Sequence, residues 1–274
     1  MKTGGSVLFL NLFPIPRRYE RIPGALAFAL TAAMVLYFVK EGSSLSLALL
    51  LASVVLLVLV YLIRYRQKQE WIQFFNQENQ RLLEMKGAQG PSRYIPDQRA
   101  EADRLRNPEL KTTALLNLST ALLANSQPAD ALETLDKLNP LKMPNPTLRL
   151  VYWTQRLGAA LQQEAASEAE NAYQTAIATM PEVSDMLKIS FMPSEIQYRL
   201  FRGEYKLALD QLGEIPEQEL DEASRDLLAV LRITALRGVG AAEKADKLTA
   251  QVEKHDLLPS TRLLLQQAAS IQKS

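Results

Sequence analysis

His255 is the only histidine in the chain and stands between Glu253 and Asp256. An imidazole flanked by carboxylates is a setting that general acid–base chemistry uses. Here the stretch is polar and closes a predicted helix, where a histidine is solvated or caps the last carbonyls. Paired carboxylates occur at Glu168 with Glu170 and at Asp221 with Glu222. Both pairs fall on predicted exposed helix faces, so they read as charged surface. The run Gly238-Val-Gly-Ala-Ala-Glu-Lys244 has the glycines of a phosphate-cradling loop. It lacks a preceding strand and the Gly-Lys-Ser/Thr element, and therefore reads as a turn between helices. With no cysteine there is no disulfide framework, thiolate metal site or cysteine nucleophile. No metal-ligand cluster and no cofactor motif is present, and the expectation is a chain that is not an enzyme.

The elements around these residues point to a binding protein held at a membrane. Residues 23–39 and 45–63 contain no charged side chain. As helices they would be roughly 25 and 28 Å long, near the hydrocarbon thickness of a bilayer. Only Lys40-Glu41-Gly42-Ser43-Ser44 separates them, so residues 23–64 are expected to form a transmembrane helical hairpin. A signal peptide is the competing reading of the first run, and its cleavage would still leave the second as an anchor. Arg17, Arg18 and Arg21 precede the hairpin, and Arg64, Arg66 and Lys68 follow it. The positive-inside rule then places both termini in the cytoplasm, at a plasma or inner membrane. Tyr61, Tyr65 and Trp71 suit the headgroup layer, so Arg17, Arg18, Arg21, Tyr61, Arg64, Arg66 and Trp71 are the expected membrane-interface residues. Ala25, Ala29 and Ala33, and likewise Ala48 and Ala52, give each span a small-residue face for close helix packing. Residues 1–22 form a cytoplasmic or interfacial segment whose apolar stretch, 7–13, is too short to cross.

Charge is split along the chain. Residues 1–96 carry 11 basic and 5 acidic side chains, and residues 97–274 carry 20 and 25. Basic charge beside the bilayer suits anionic headgroups, and the acidic remainder argues against nucleic acid as a partner. Residues 65–86 contain neither Gly nor Pro and place Trp71, Phe74, Phe75, Leu82 and Leu83 at roughly helical spacing, as a juxtamembrane amphipathic helix would. Residues 87–97 are dense in turn residues and read as a linker.

From residue 98 to 274 no strand pattern is evident. Apolar helical stretches alternate with breaks at Pro108, Pro128, Pro140, Pro144, Pro146, Pro181, Pro193, Gly203, Pro216, Gly238, Gly240 and Pro259. The expected class is all-α, with paired helices stacked as an α-solenoid. In residues 115–140, Leu115, Leu118 and Leu122 supply apolar positions of a first helix and Ser119 a small one. Ala131, Leu135 and Leu138 follow on a second helix that Pro140 closes. This unit resembles a tetratricopeptide repeat. Weaker copies carry Trp153 and Leu157 with Ala169, Tyr173, Ala176 and Pro181, then residues 203–212 with Ala208, then residues 223–237 paired with 241–253 through Ala245. The small residues Ala131, Ala169, Ala208 and Ala245 are spaced by 38, 39 and 37 positions. That unit exceeds the family's usual length of 34, so longer turns or an irregular superhelix are expected. The resemblance covers about residues 108–256, with residues 260–272 as a capping helix.

The resemblance implies about four helix pairs and a curved inner surface, built from the first helices, that binds partner proteins or peptides. Its expected groove residues are Asn117, Tyr152, Arg156, Tyr198, Arg199 and Arg202, accompanied by Leu116, Thr120, Gln155, Gln197 and Arg232. The Lys and second Asn with which some family members clamp a terminal carboxylate are missing, which speaks against that particular ligand. The leading expectation is a membrane-anchored adaptor or scaffold acting at the cytoplasmic face. The alternative is a self-assembling component of a membrane complex, a homo-oligomer formed through the hairpin and the stripe Trp71, Phe74 and Phe75.

Overall fold

The computed structural model describes residues 87–271 apart from 144, 184 and 217–219, together with separate positions between 32 and 81; for residues 185–190 only the backbone is described. Two compact units divide the chain, one comprising Phe13–Glu78 and the other containing Asn79–Ser274. Within Phe13–Glu78 every described position is helical. Leu36, Val54, Val58 and Leu62 are 51–72 % exposed, although apolar side chains of this size normally seek cover. Phe74 is buried while nearby Ile72 is exposed, as on two faces of one helix. No helix among the described residues is long and apolar enough to cross a membrane. Most of residues 23–39 and 45–63 lies outside the described residues, as do Arg17, Arg18, Arg21, Arg64, Trp71 and Phe75.

The larger unit is all-helical among the described residues. Its elements are α1 (Gly90–Arg104), α2 (Pro108–Ala124), α3 (Pro128–Asp136), α4 (Pro146–Gln162), α5 (Ala166–Thr179), α6 (Asp185–Phe201), α7 (Tyr205–Glu214), α8 (Glu222–Gly238), α9 (Ala242–Val252) and α10 (Pro259–Ser270). Helices α2 to α9 form four hairpins, α2/α3, α4/α5, α6/α7 and α8/α9, each packed along its own length. Successive first helices also touch, α2 with α4, α4 with α6 and α6 with α8. Helix α1 covers α2 at one end. At the other, α10 packs on α8 and also reaches α2, drawing the two ends of the row together.

Local chemistry explains the repetition. Each first helix is 17 residues long. The Asn-Pro breaks are helix starts, with Asn107 and Asn145 accepting hydrogen bonds from first-turn N–H groups while proline takes a position that needs no N–H. Asp221 caps α8 in the same way. The second helices have no side-chain cap, because each is entered directly from one recurrent turn. In that turn Ser126, Glu164, Gly203 and Gly240 take φ values of 57°, 56°, 77° and 79°. The next residue's N–H bonds back five positions, Gln127 to Leu122, Ala165 to Ala160, Glu204 to Arg199 and Ala241 to Leu236, at 2.8–2.9 Å. This is the Schellman closure, which satisfies carbonyls otherwise stranded at a helix end. Residues 238–244 thus contain the α8/α9 turn, as their composition suggests.

Four residues into each second helix sits the same alanine. Ala131, Ala169, Ala208 and Ala245 are all fully buried. Twelve positions earlier stand Ser119, Leu157, Ile196 and Ile233, also fully buried, so only the first hairpin uses a small residue on both sides. The units exceed 34 residues because the first helices are long and the segments between hairpins are extended, two of them by the short 3₁₀ turns Pro140–Lys142 and Met180–Glu182.

Two expected breaks are helical instead. The turn-rich segment read as a linker enters α1, with Pro91 in the first turn, where the missing N–H costs nothing, and Pro96 inside. Tyr94 and Ile95 join Leu118, Ala121, Leu122 and Ala131 in one buried cluster, and the Gln98 amide donates to the Ala114 carbonyl at 3.1 Å. Pro193 likewise lies inside α6, with buried Phe191 and Ile196 on either side. In both helices burial outweighs the lost backbone bond, which local propensity cannot register.

Candidate functional site

The arginines and tyrosines of the expected groove are spent on joining helices to one another. Tyr152 is buried, and Arg156 donates to its hydroxyl at 2.9 Å and to Asp136 of α3 at 2.8 Å. Arg199 bridges Glu195 at 2.7 Å and Glu204 at 3.0 Å, while Gln211 of α7 also donates to Glu195 at 3.2 Å. Tyr198 stacks on Tyr173 of α5 with ring centroids 4.1 Å apart, and its hydroxyl donates to Glu170. Arg202 reaches the same carboxylate at 3.2 Å. Burial first, and then the Glu170 carboxylate, push the Tyr198 phenol up to about 12. The bond from that phenol, with help from Gln174, holds Glu170 below its usual range. Arg232 of α8 donates to the Leu212 carbonyl at the end of α7. Leu116 is core, and Asn117 is half-buried on α2.

The opposite faces of the first helices enclose a cavity of about 1100 Å³ with α10. None of Asn117, Tyr152, Arg156, Tyr198, Arg199 and Arg202 lines it, whereas Thr120, Gln155 and Gln197 do. Its wall follows the register of the hairpins. Thr120, Gly158, Gln197 and Thr234 repeat at the spacing of the buried alanines, and Leu123, Leu161 and Leu200 form a second row from three hairpins. Sequence reasoning passed over Gly158, Thr154 and Gln162 because such residue types carry no chemical signal. Counting one position beyond each buried first-helix residue (119, 157, 196 and 233) would have found the first row.

Five polar residues of the wall are committed as donors. Thr120, Thr154 and Thr234 donate to the carbonyls of Leu116, Leu150 and Val230 on their own helices. Gln155 donates to the Leu116 carbonyl at 3.0 Å and to the Thr120 hydroxyl at 2.7 Å, and Gln162 to the Leu123 carbonyl at 3.1 Å. These bonds staple α4 to α2. They leave Gln155 Oε1 and Gln162 Oε1 buried with no hydrogen-bond partner among the described residues. Such acceptors normally find a donor. Among the described residues the charged groups of the lining are Glu164, Asp221, Glu222, Asp226 and Asp256, with no Lys or Arg.

His255 is tied in here, beyond the solvated or capping role read from its neighbours. Its Nδ1 lies 2.6 Å from Asp226 Oδ1, and the ring remains 45 % exposed. The pair orients an imidazole. Among the described residues no set of three histidines or acids could hold a metal ion. No family model, curated protein or solved structure matches this chain.

Proposed function

We propose that this protein is a membrane-anchored adaptor of tetratricopeptide-like helical repeats, which holds a segment of a partner protein in its concave cavity at the cytoplasmic face. The observation that carries the reading is the register of the wall. Four hairpins with the same turn and the same buried alanine each give the cavity the residue at one repeated position. Solenoid arrays bind partners along such concave surfaces.

The anchor is supported by residues 23–39 and 45–63, which contain no Asp, Glu, Lys, Arg or His and expose apolar side chains at most of their described helical positions. Leu36, Val54 and Val58, half to three-quarters exposed, would in water each forfeit roughly 1–2 kcal/mol of burial, and lipid removes that cost. Alkaline carbonate extraction tests the anchor. The full chain should stay in the membrane pellet and a variant lacking residues 23–63 should not. Release of the full chain into the supernatant would refute the anchor. Crosslinking in native membranes tests the adaptor: a partner should be recovered with the wild type and lost when the cavity is filled by Gly158→Phe. A partner retained by that variant would move the binding surface elsewhere.

A further inference from the structure

We infer that the occupant of the cavity is an extended peptide segment carrying Lys or Arg among apolar side chains. The inference rests on reading the cavity as the binding site, and it adds the chemistry of the ligand. Three features of the wall converge on it. Among the described residues the charged lining groups are all acidic, Glu164, Asp221, Glu222, Asp226 and Asp256, of which Asp226 also faces His255 and Asp256 lies 4.0 Å from Arg262. Bringing an anionic lipid, nucleic acid or acidic peptide against them would set like charges together, whereas a cation is drawn in. Leu123, Leu161, Leu200, Phe201, Leu227 and Leu264 supply the apolar part, which covers side chains flanking the cation.

The third feature separates an extended chain from a helix. The donors of Gln155, Gln162, Thr120, Thr154 and Thr234 are already engaged with the protein's own carbonyls and with one another. Gln155 and Gln162 each keep an amide oxygen unpartnered among the described residues, but both atoms are fully buried. The acceptors the wall offers a ligand are therefore its carboxylates and the hydroxyl oxygens of Thr154 and Thr234. A wall rich in acceptors matches a ligand with donors to spare. An α-helix has used its backbone N–H groups internally, while an extended segment still offers them.

The test uses the full chain in detergent micelles and a displayed library of random dodecapeptides. Binders are sorted by whether Gly158→Phe, an uncharged obstruction of the cavity, abolishes them. Peptides sensitive to that block should be enriched in Lys and Arg beside Leu or Phe. Their affinity should fall about tenfold in Glu164→Gln/Glu222→Gln/Asp256→Asn and should weaken as salt is raised. Thermal unfolding of both variants checks that the fold is kept, and Thr154→Leu serves as a second obstruction should Gly158→Phe unfold. Block-sensitive peptides that are acidic or uncharged, with affinity unmoved by the triple variant, would overturn the cationic ligand and leave the adaptor reading standing. A block-sensitive dimer of the chain itself would overturn the peptide and assign the cavity to a second copy. Peptides that bind equally well with the cavity blocked would overturn the adaptor reading of this site altogether.

Discussion

Tyr198 on helix α6 and Arg202 just past its end turn toward α5 and share Glu170, whereas Ser194, Gln197 and Phe201 of that helix line the cavity. Residue types divide accordingly. The seams between helices hold the arginines, tyrosines and ion pairs. The wall holds small, neutral and apolar groups with carboxylates among them. Arginine and tyrosine are the usual anchors of protein interfaces because they combine area with directed hydrogen bonds. In this array those same properties serve the interfaces inside the chain. Side-chain identity alone therefore marks where helices meet, and only position in the repeat marks where a partner would enter.

Substitutions on the two sides of these helices should separate along that line. Ala131→Arg forces a charge into the fully buried contact of the first hairpin and should cost several kcal/mol, read as a lowered midpoint of denaturant unfolding. An unchanged midpoint would mean that the hairpin register is wrong. Gly238→Ala comes next. A Cβ there would lie 2.1 Å from the Tyr205 ring, so α7 and α8 must shift, for a loss of about 1–3 kcal/mol in the same assay. Gly158 in α4 is the control on the cavity side. A Cβ there would meet only Leu123 Cδ1 at 3.5 Å, and Gly158→Ala should gain roughly 0.5–1 kcal/mol.

The seam also has a pH signature. The Tyr198 phenol is raised from its ordinary 10 to about 12, so the folded state holds that proton more tightly than the unfolded chain. Its contribution is complete below about pH 10 and is lost as pH rises through about 12. Thermal unfolding followed from pH 9 to 12.5 should show this decline in the wild type, and Tyr198→Phe should remove that part of it. The smallest expected effect lies in the turn. Ser126 adopts a left-handed conformation and its buried hydroxyl has no partner among the described residues. Ser126→Gly should therefore stabilise by up to about 1 kcal/mol.

The all-α class, the pairing of helices and the spacing of the four alanines were legible because they are written as periodicity. The breaks read at Pro108, Pro146 and Pro259 fall at helix starts, where proline in the first turn has a purely local cause. Pro96 and Pro193 misled, because what keeps those helices whole is burial beside them in the fold. Of the candidate groove residues, Thr120, Gln155 and Gln197 reach the cavity and the arginines do not. The face a first helix turns inward depends on how successive hairpins are rotated against each other, and the closing contribution of α10 comes from more than a hundred residues beyond α2. Neither is encoded in the residues of a single repeat.

The most direct test sets wall against seam in one experiment. Crosslinked affinity purification from native membranes would compare the wild type, Gly158→Phe, and Arg156→Glu/Arg199→Glu/Arg202→Glu, each verified as folded. The partner recovered with the wild type should be lost from Gly158→Phe and kept, at reduced protein stability, by the triple arginine variant. A partner lost from the arginine variant and retained by Gly158→Phe would place recognition on the seams and contradict the account.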